Sequence, residues 1–287
     1  MTAADILGQF NAVITGRYTS TSDVEGRLAT GTLAGGATFY LPRGTAAASG
    51  FGAVNALDIT NGVASANVNN GGRVNWVNGD AGTFNLNGGT IGRNTPAFTM
   101  SDFTTPLHVL AAGLAALAAN STVNGSDPNN FAFNETPDGS GTAVFGLTTA
   151  QLSAARNIAF NGAAATIIVN VTGTAFSDTA NFNASDTLNR HLIWNFVDAA
   201  SLNFQGWHGT VLAEGAGVTN TSAMEGVLYA QNFTGGGELH DFTFAGVLPS
   251  VTLSTGVPEP GTAALLGGAL VGLSVLAWRR AVHRPAG

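Results

Sequence analysis

NALDITNGVASANVNNGGRVNWVNGDAGTFNLNGGTIG, residues 55–92, holds four Asn-Gly pairs, at Asn61, Asn70, Asn78 and Asn87, spaced nine, eight and nine residues apart. Asn-Gly tolerates positive φ and marks tight turns. Between the pairs lie alternating segments such as Arg73-Val-Asn-Trp-Val and Thr83-Phe-Asn-Leu-Asn. Two architectures fit. Hairpins would make an antiparallel meander. Two turns per coil, every seventeen or eighteen residues, would make rungs of a β-solenoid. Gly209 and Gly226 repeat the spacing of seventeen far downstream, which favours coils. The expected fold class is mainly β: a right-handed β-solenoid-like stack with one long α-helix packed alongside, plus a C-terminal transmembrane helix.

Upstream, residues 10–14 and 26–34 read as short strands. Asp23-Val-Glu-Gly-Arg-Leu-Ala-Thr parallels Ala223-Met-Glu-Gly-Val-Leu-Tyr-Ala, so that Glu25 matches Glu225, Gly26 matches Gly226 and Leu28 matches Leu228. Gly35-Gly36 then matches Gly235-Gly236. One structural unit is expected near both ends. Downstream, residues 104–120 read as the long helix, with Thr105 as N-cap and Pro106 as first residue. Leu107, Leu110, Leu114 and Leu117 form its apolar stripe; His108 flanks the stripe. Residues 120–141, rich in Asn, Asp, Pro and Gly, read as a surface loop, and residues 149–157 as a short helix capped by Thr148. Ala165-Thr-Ile-Ile-Val-Asn-Val-Thr, with adjacent β-branched residues, suits a strand buried on both faces. Leu192-Ile-Trp-Asn-Phe-Val, Gly209-Thr-Val-Leu-Ala, Gly226-Val-Leu-Tyr-Ala and Gly237-Glu-Leu-His-Asp-Phe read as further short strands.

Composition narrows the function classes. Only 9% of the 287 residues are charged, 39 are Gly, and there is neither Cys nor Lys. Without Cys, disulfides, thiolate metal sites and a Cys nucleophile are excluded. The last thirty-one residues carry three Arg and one Glu; because the whole chain is −7, residues 1–256 carry −9. That acidic body with scattered arginines offers no basic stripe for nucleic acid.

The C-terminal residues have a fixed order of parts: Val257-Pro-Glu-Pro260, an uncharged apolar run over residues 261–278, and a basic end at residues 279–287 with Arg279, Arg280 and Arg284. Eighteen helical residues span about 27 Å, close to a hydrocarbon core. Trp278 suits the interface, and the arginines the cytoplasmic side. The competing reading is a buried C-terminal helix, though a soluble helix of this length normally has a polar face. The order resembles the PEP-CTERM sorting signal of Gram-negative bacteria that make exopolysaccharide. The resemblance implies recognition of Val257, Pro258, Glu259 and Pro260 by an exosortase, a membrane processing enzyme, and export. The N-terminal MTAADILGQF lacks the basic and apolar parts of a signal peptide, so a leader encoded upstream is expected. The division is residues 1–250 as β domain, 251–260 as linker and motif, then the apolar run and the basic tail.

Several blocks of the body resemble the choice-of-anchor A domain of bacterial surface proteins: Asp23-Val-Glu-Gly-Arg, Ile168-Val-Asn-Val, Ile193-Trp-Asn-Phe, Gly209-Thr-Val-Leu-Ala, Glu225-Gly and Gly237-Glu-Leu-His-Asp-Phe. Together they cover residues 6–246. The resemblance implies an adhesin or matrix protein with no established reaction, with exopolysaccharide or a surface protein or glycan as partner. The family usually has Pro after the Gly-Thr-Val-Leu-Ala block; Glu214 stands there instead, with a local effect on a turn expected. A helix among stacked coils also looks like the bacterial ice-binding solenoid, a likeness of fold.

No metalloprotease, nucleophile-elbow or phosphate-loop pattern occurs, and the expectation is a protein that is not an enzyme and needs no cofactor. The nearest constellation is Glu238, His240 and Asp241, joined by Glu25 and Glu225. In a strand, Glu238 and His240 share a face and Asp241 takes the other. An acidic catalytic cluster is one reading; the stronger one is structural, with carboxylates accepting backbone N–H groups between coils. Asp127, Glu135 and Asp138 lack the spacing of a calcium loop, so no metal is expected. Thr30/Thr32 and Thr172/Thr174 are Thr-x-Thr pairs of the kind found on ice-binding faces, too few to build one. An extracellular carbohydrate-active β-helix enzyme and an ice-binding protein are the alternatives to the adhesin.

Overall fold

A computed structural model describes residues 1–35, 38–59, 66–79 and 84–251. The Asn-Gly stretch winds into coils. Strands Val54–Ile59, Arg73–Gly79 and Thr90–Arg93 run parallel, with Val54 beside Val74 and Val74 beside Ile91. On the opposite side of the same coils, Thr38–Tyr40 pairs in parallel with Asn67–Asn69, and Asn67 bridges Asn85. Positive φ at Asn70, Gly71, Asn87 and Gly88 turns each corner. Parallel pairing rules out the meander, which requires antiparallel neighbours.

The large sheet does not follow chain order. Strands Thr142–Thr148, Thr166–Thr172, Leu192–Phe196, Thr210–Asn220 and Leu228–Gly235 lie in sequence, and the next neighbour is the N-terminal strand Phe10–Ser20. Arg27–Leu33, Val54–Ile59, Arg73–Gly79 and Thr90–Arg93 continue outward from it. The chain thus begins in the middle of its own stack. Ala12 is the register partner of both Leu28 and Leu228. The internal match of residues 23–30 with 223–230 therefore marks the two coils that flank the first strand.

The three longest central pairings shift register part-way, between Ile14 and Arg17 or Tyr18 and between Ala213 and Gly217. Such bulges bend a strand. Before the bend Thr210–Asn220 pairs with Leu192–Phe196, and after it with Ser201–Phe204. The bend divides the sheet into two faces. Short strands build a third: Trp207–His208, Met224–Glu225 and Leu239–His240, with Val24 bridging Leu239 to Phe39. Leu28, Leu228, Val211, Trp194 and Val169 point inside the coils with Phe39, Leu239, Trp207 and Phe133.

Helix Ser101–Ala115 covers the outer side of the first face. Phe103, Leu107, Leu110 and Leu114 pack there with Val13, Tyr229, Leu212, Ile193 and Ile168. Adjacent residues of the Thr166–Thr172 strand are consequently both buried, Ile167 and Val169 inward and Ile168 beneath the helix, as its β-branched run foretold. Asn170 and Asn195 donate from the sheet to the Leu114 and Ala111 carbonyls, at 2.8 and 2.9 Å, tying the last turns of the helix to the sheet beneath.

Several expectations need correction. The helix begins at Ser101, not after Thr105, and Pro106 lies within it. Phe103 packs edge-on against Phe10 and Phe98, and this burial draws in a turn upstream of the proline. Asp102 secures that turn by accepting from the Thr99 N–H at 2.7 Å. Leu117 falls beyond the helix. Residues 120–141 are not all loop: Thr122–Asn124 and Phe131–Asn134 are strands. Phe131 and Phe133 enter the core, an alternation that the polar flanks obscured. The helix after Thr148 stops at Leu152, and Asn157 already starts a strand. The sorting motif, the apolar run and the basic end all lie outside the described residues. Among the described residues no helix is long and apolar enough to cross a membrane.

Candidate functional site

The third face brings four of the five singled-out groups together. His208 is the coil partner of Glu225, and Glu225 of His240; Glu25 follows Val24, the partner of Leu239. His208 Nδ1 lies 3.3 Å from Glu225 Oε2, and His240 Nδ1 lies 3.6 Å from Glu225 Oε1. His240 Nε2 meets Glu238 Oε2 at 2.9 Å, so Glu238 and His240 do share a face. Asn189 donates to Glu225 at 2.7 Å, and Arg43 lies 3.7 Å from Glu25. The result is a row of alternating imidazole and carboxylate groups along the coil corners.

Burial opposes a charge on His240, but Glu238, Glu25 and Glu225 together raise its pKa above the ordinary value. For His208 burial outweighs Glu225, and its pKa is lowered. Asp241 stands apart, buried behind the row. Its Oδ2 accepts from the Gly44 and Ala46 N–H groups at 2.9 and 3.4 Å. Burial raises its pKa despite those bonds. The backbone tie expected of all these carboxylates thus belongs mainly to Asp241. Glu225 is held by side chains, and Glu25 receives the Asp241 N–H only at 3.4 Å. His208, Asn189 and Arg43 are members that sequence reasoning missed. A signal for His208 existed: His208-Gly209, Glu225-Gly226 and Glu25-Gly26 each place the group just before a corner glycine.

The second face is exposed along its outer side. Ser177, Asn203, Thr219, Thr234 and Thr19 are successive register partners across five parallel strands. Strand spacing sets them about 4.8 Å apart, a rank roughly 19 Å long. All but the half-buried Thr19 are exposed. Ala175, Ser201, Gly217 and Asn232 make a neighbouring rank in the same way. Beneath them, alternate residues Phe176, Leu202, Val218, Phe233 and Tyr18 are buried and hold the face rigid. The Thr-x-Thr pairs do not form this surface: Thr30 is buried, and Thr172 pairs with Thr148 elsewhere.

Glu214 does more than shape a turn. Its Oε2 meets His108 Nδ1 on the long helix at 2.7 Å, linking sheet to helix. The three carboxylates weighed as calcium ligands are engaged locally. Asp127 accepts from the Asn129 N–H, Asp138 from Ser140 and Thr142, and Glu135 from Ala164.

The fold is thus a parallel β-solenoid with a helix along one face, a charged row on another and a broad rank of short polar side chains on the third. The chain is a member of the family described as "Putative Ice-binding-like adhesive domain", whose model matches residues 3–241. Among solved structures, it is similar to a glycosylated ice-binding protein from an Arctic yeast, at 12% identity and TM-score 0.48, over 88% of this chain and 98% of that one. It is also similar to the ice-binding protein of the Antarctic ascomycete Antarctomyces psychrotrophicus, at 14% identity and TM-score 0.38, over 82% and 95%. No curated protein matches the chain.

Proposed function

We propose that this protein is an exported surface or extracellular-matrix protein that works by adhesion and turns nothing over. The polar second face is the observation that carries the reading. One rank of hydroxyl and amide side chains, beside a rank of small residues that includes Ser201 and Asn232, on a sheet backed by buried apolar residues suits an extended, hydroxyl-rich partner such as exopolysaccharide, met by many weak hydrogen bonds. The acidic groups of the third face are occupied by His208, His240, Asn189 and Arg43, which supports contact over catalysis. The resemblance to choice-of-anchor A proteins points the same way. The resemblance to PEP-CTERM tails supports delivery by an exosortase acting at Val257, Pro258, Glu259 and Pro260. The apolar run would serve as temporary membrane stop, ahead of Trp278, Arg279, Arg280 and Arg284. Nucleic acid is not a partner in this reading.

Ice binding is the second reading, favoured by Thr19, Thr219 and Thr234 in one rank and by the ice-binding-like character of the family. Thr219→Lys and Thr234→Lys, compared with wild type for retention on exopolysaccharide-coated surfaces and for partition into growing ice, separate the two. Loss of retention with unchanged melting supports adhesion through this face, and loss of ice partition alone supports the second reading. Variants that adhere as wild type remove the face from the account, and release of reducing ends from the polysaccharide would point to an enzyme.

A further inference from the structure

A pocket of about 250 Å³ opens beside the short helix Asp186–His191, lined on one side by the Glu135 and Gly162–Ala164 loops. Neither the charged row nor the second face uses it. Its apolar part is Phe160, stacked at 4.6 Å on Phe133, and Leu188. Its polar part is Glu135, Ser185, Thr187 and His191. Glu135 Oε2 accepts the Ala164 N–H at 2.7 Å, leaving Oε1 as a free acceptor. His191 Nδ1 donates to the Ala165 carbonyl, 2.7 Å away, which leaves Nε2 as the ring nitrogen open to a ligand, able to accept a hydroxyl proton in that tautomer. Ser185 Oγ accepts the Leu188 N–H at 3.2 Å and keeps its own proton to donate. The carboxylate fits only because residue 162 is glycine: a Cβ there would stand 2.4 Å from Glu135 Cβ and 2.6 Å from Oε2.

A free carboxylate oxygen, an open imidazole nitrogen, two hydroxyls and an apolar wall, with no Lys or Arg among the lining residues, match one ligand chemistry. We propose that this pocket binds a single neutral sugar unit of a glycan, resting on the adhesive reading above and giving it a second, discriminating contact. Vicinal hydroxyls donate to Glu135 and His191 while the C–H face of the ring lies on Phe160 and Leu188. An acidic sugar would set its carboxylate against Glu135 and be rejected.

The test is calorimetric titration of the full chain, kept in a polyoxyethylene detergent because alkyl glycosides would compete. The probes are methyl glycosides of neutral hexoses, methyl glucuronide and calcium chloride. The expected result is saturable binding of at least one neutral glycoside, with the glucuronide weaker by roughly tenfold or more. Glu135→Ala and Thr187→Val should each weaken that binding, Thr187→Val with unchanged melting, whereas Thr219→Lys on the second face should leave it intact. No neutral glycoside binding below roughly 100 mM, binding indifferent to Glu135→Ala, or calcium binding there without any glycoside binding would each overturn the proposal. Retention on polysaccharide keeps the two claims apart. Wild type that adheres without binding glycosides sinks the pocket and spares the adhesive reading; wild type that binds glycosides yet adheres to nothing does the reverse.

Discussion

Asn11→Ala tests the insertion of the first strand into the middle of the stack. Asn11 is fully buried. Its Nδ2 donates to the Gly226 carbonyl at 2.8 Å and the His240 carbonyl at 2.9 Å, and its Oδ1 accepts the Gly26 N–H at 3.2 Å. One side chain thus joins the coils on either side of Phe10–Ser20 and the last strand, Leu239–His240. Alanine would take the side-chain partner from the Gly226 carbonyl and the Gly26 N–H, at about 1–3 kcal/mol each, while the His240 carbonyl keeps the Phe242 N–H at 3.0 Å. Local relaxation favours the lower end, a loss of about 2 kcal/mol. For a domain of this size, that lowers the melting temperature by roughly 4–8 °C. Asn11→Asp supplies a signature that mere loss of packing would not. It sets a carboxylate against two carbonyl oxygens, so its folded pKa is raised. Stability should then recover as the pH falls and the acid becomes a donor. Scanning calorimetry on both variants, with the aspartate followed from pH 7 to 4, gives the answer. A shift below about 3 °C for Asn11→Ala, under 1 kcal/mol, would refute the placement of the strand.

The charged row predicts opposite pH limbs. His240 has its folded pKa above the unfolded 6.5; its contribution is complete below 6.5 and is lost as the pH rises through the folded value. His208 has its folded pKa below 6.5; its contribution is present above 6.5 and is lost as the pH falls through the folded value. His240→Gln should flatten the alkaline limb of a melting-temperature profile, and His208→Gln the acid limb; profiles unchanged by both would show that the row is not coupled to folding. Intact mass of the mature protein from its native host should show the chain cut near residues 257–260, whereas full-length protein in the cytosol, tail intact, would contradict the sorting reading.

Much of the architecture was legible because the coil repeats backbone demands. Asn-Gly turns at eight- and nine-residue intervals, and glycine at residues 209 and 226, are visible wherever a corner needs positive φ; Gly209 adopts φ 91 and Gly226 φ 154. The match of Glu25-Gly26 with Glu225-Gly226 identified equivalent coils. It could not reveal that the N-terminal strand lies between them, since that order depends on which edges pair and not on any local pattern. Helix boundaries failed where burial of Phe103 outweighed the pull of Pro106 toward a first-turn position. The Phe131–Asn134 strand escaped notice because its alternation covers only four residues inside a polar stretch. The acidic members of the charged row were found, but their roles were not. Partners distant in the chain but in contact in the fold, such as Asn189 and Glu225, leave no spacing to read.

The three faces explain why the polar rank is the surface left for a broad partner. On the first face, Phe103, Leu107, Leu110 and Leu114 are spent on the sheet, and His108–Glu214 closes the margin. The third face is interrupted by corner side chains that bind one another and by the loops around Glu135, a shape suited to a small ligand and not to a plane. Only the second face keeps its side chains short, in register and outward for five strands, over a buried row of Phe176, Leu202, Val218, Phe233 and Tyr18 that fixes their spacing. Rigidity matters there because each exposed hydroxyl contributes little by itself. A contact built from many such groups gains affinity only if their positions are set before the partner arrives. On the adhesive proposal, the bulges at Ile14 and Ala213 would serve binding by turning the second halves of the long strands away from the helix and holding that rank clear.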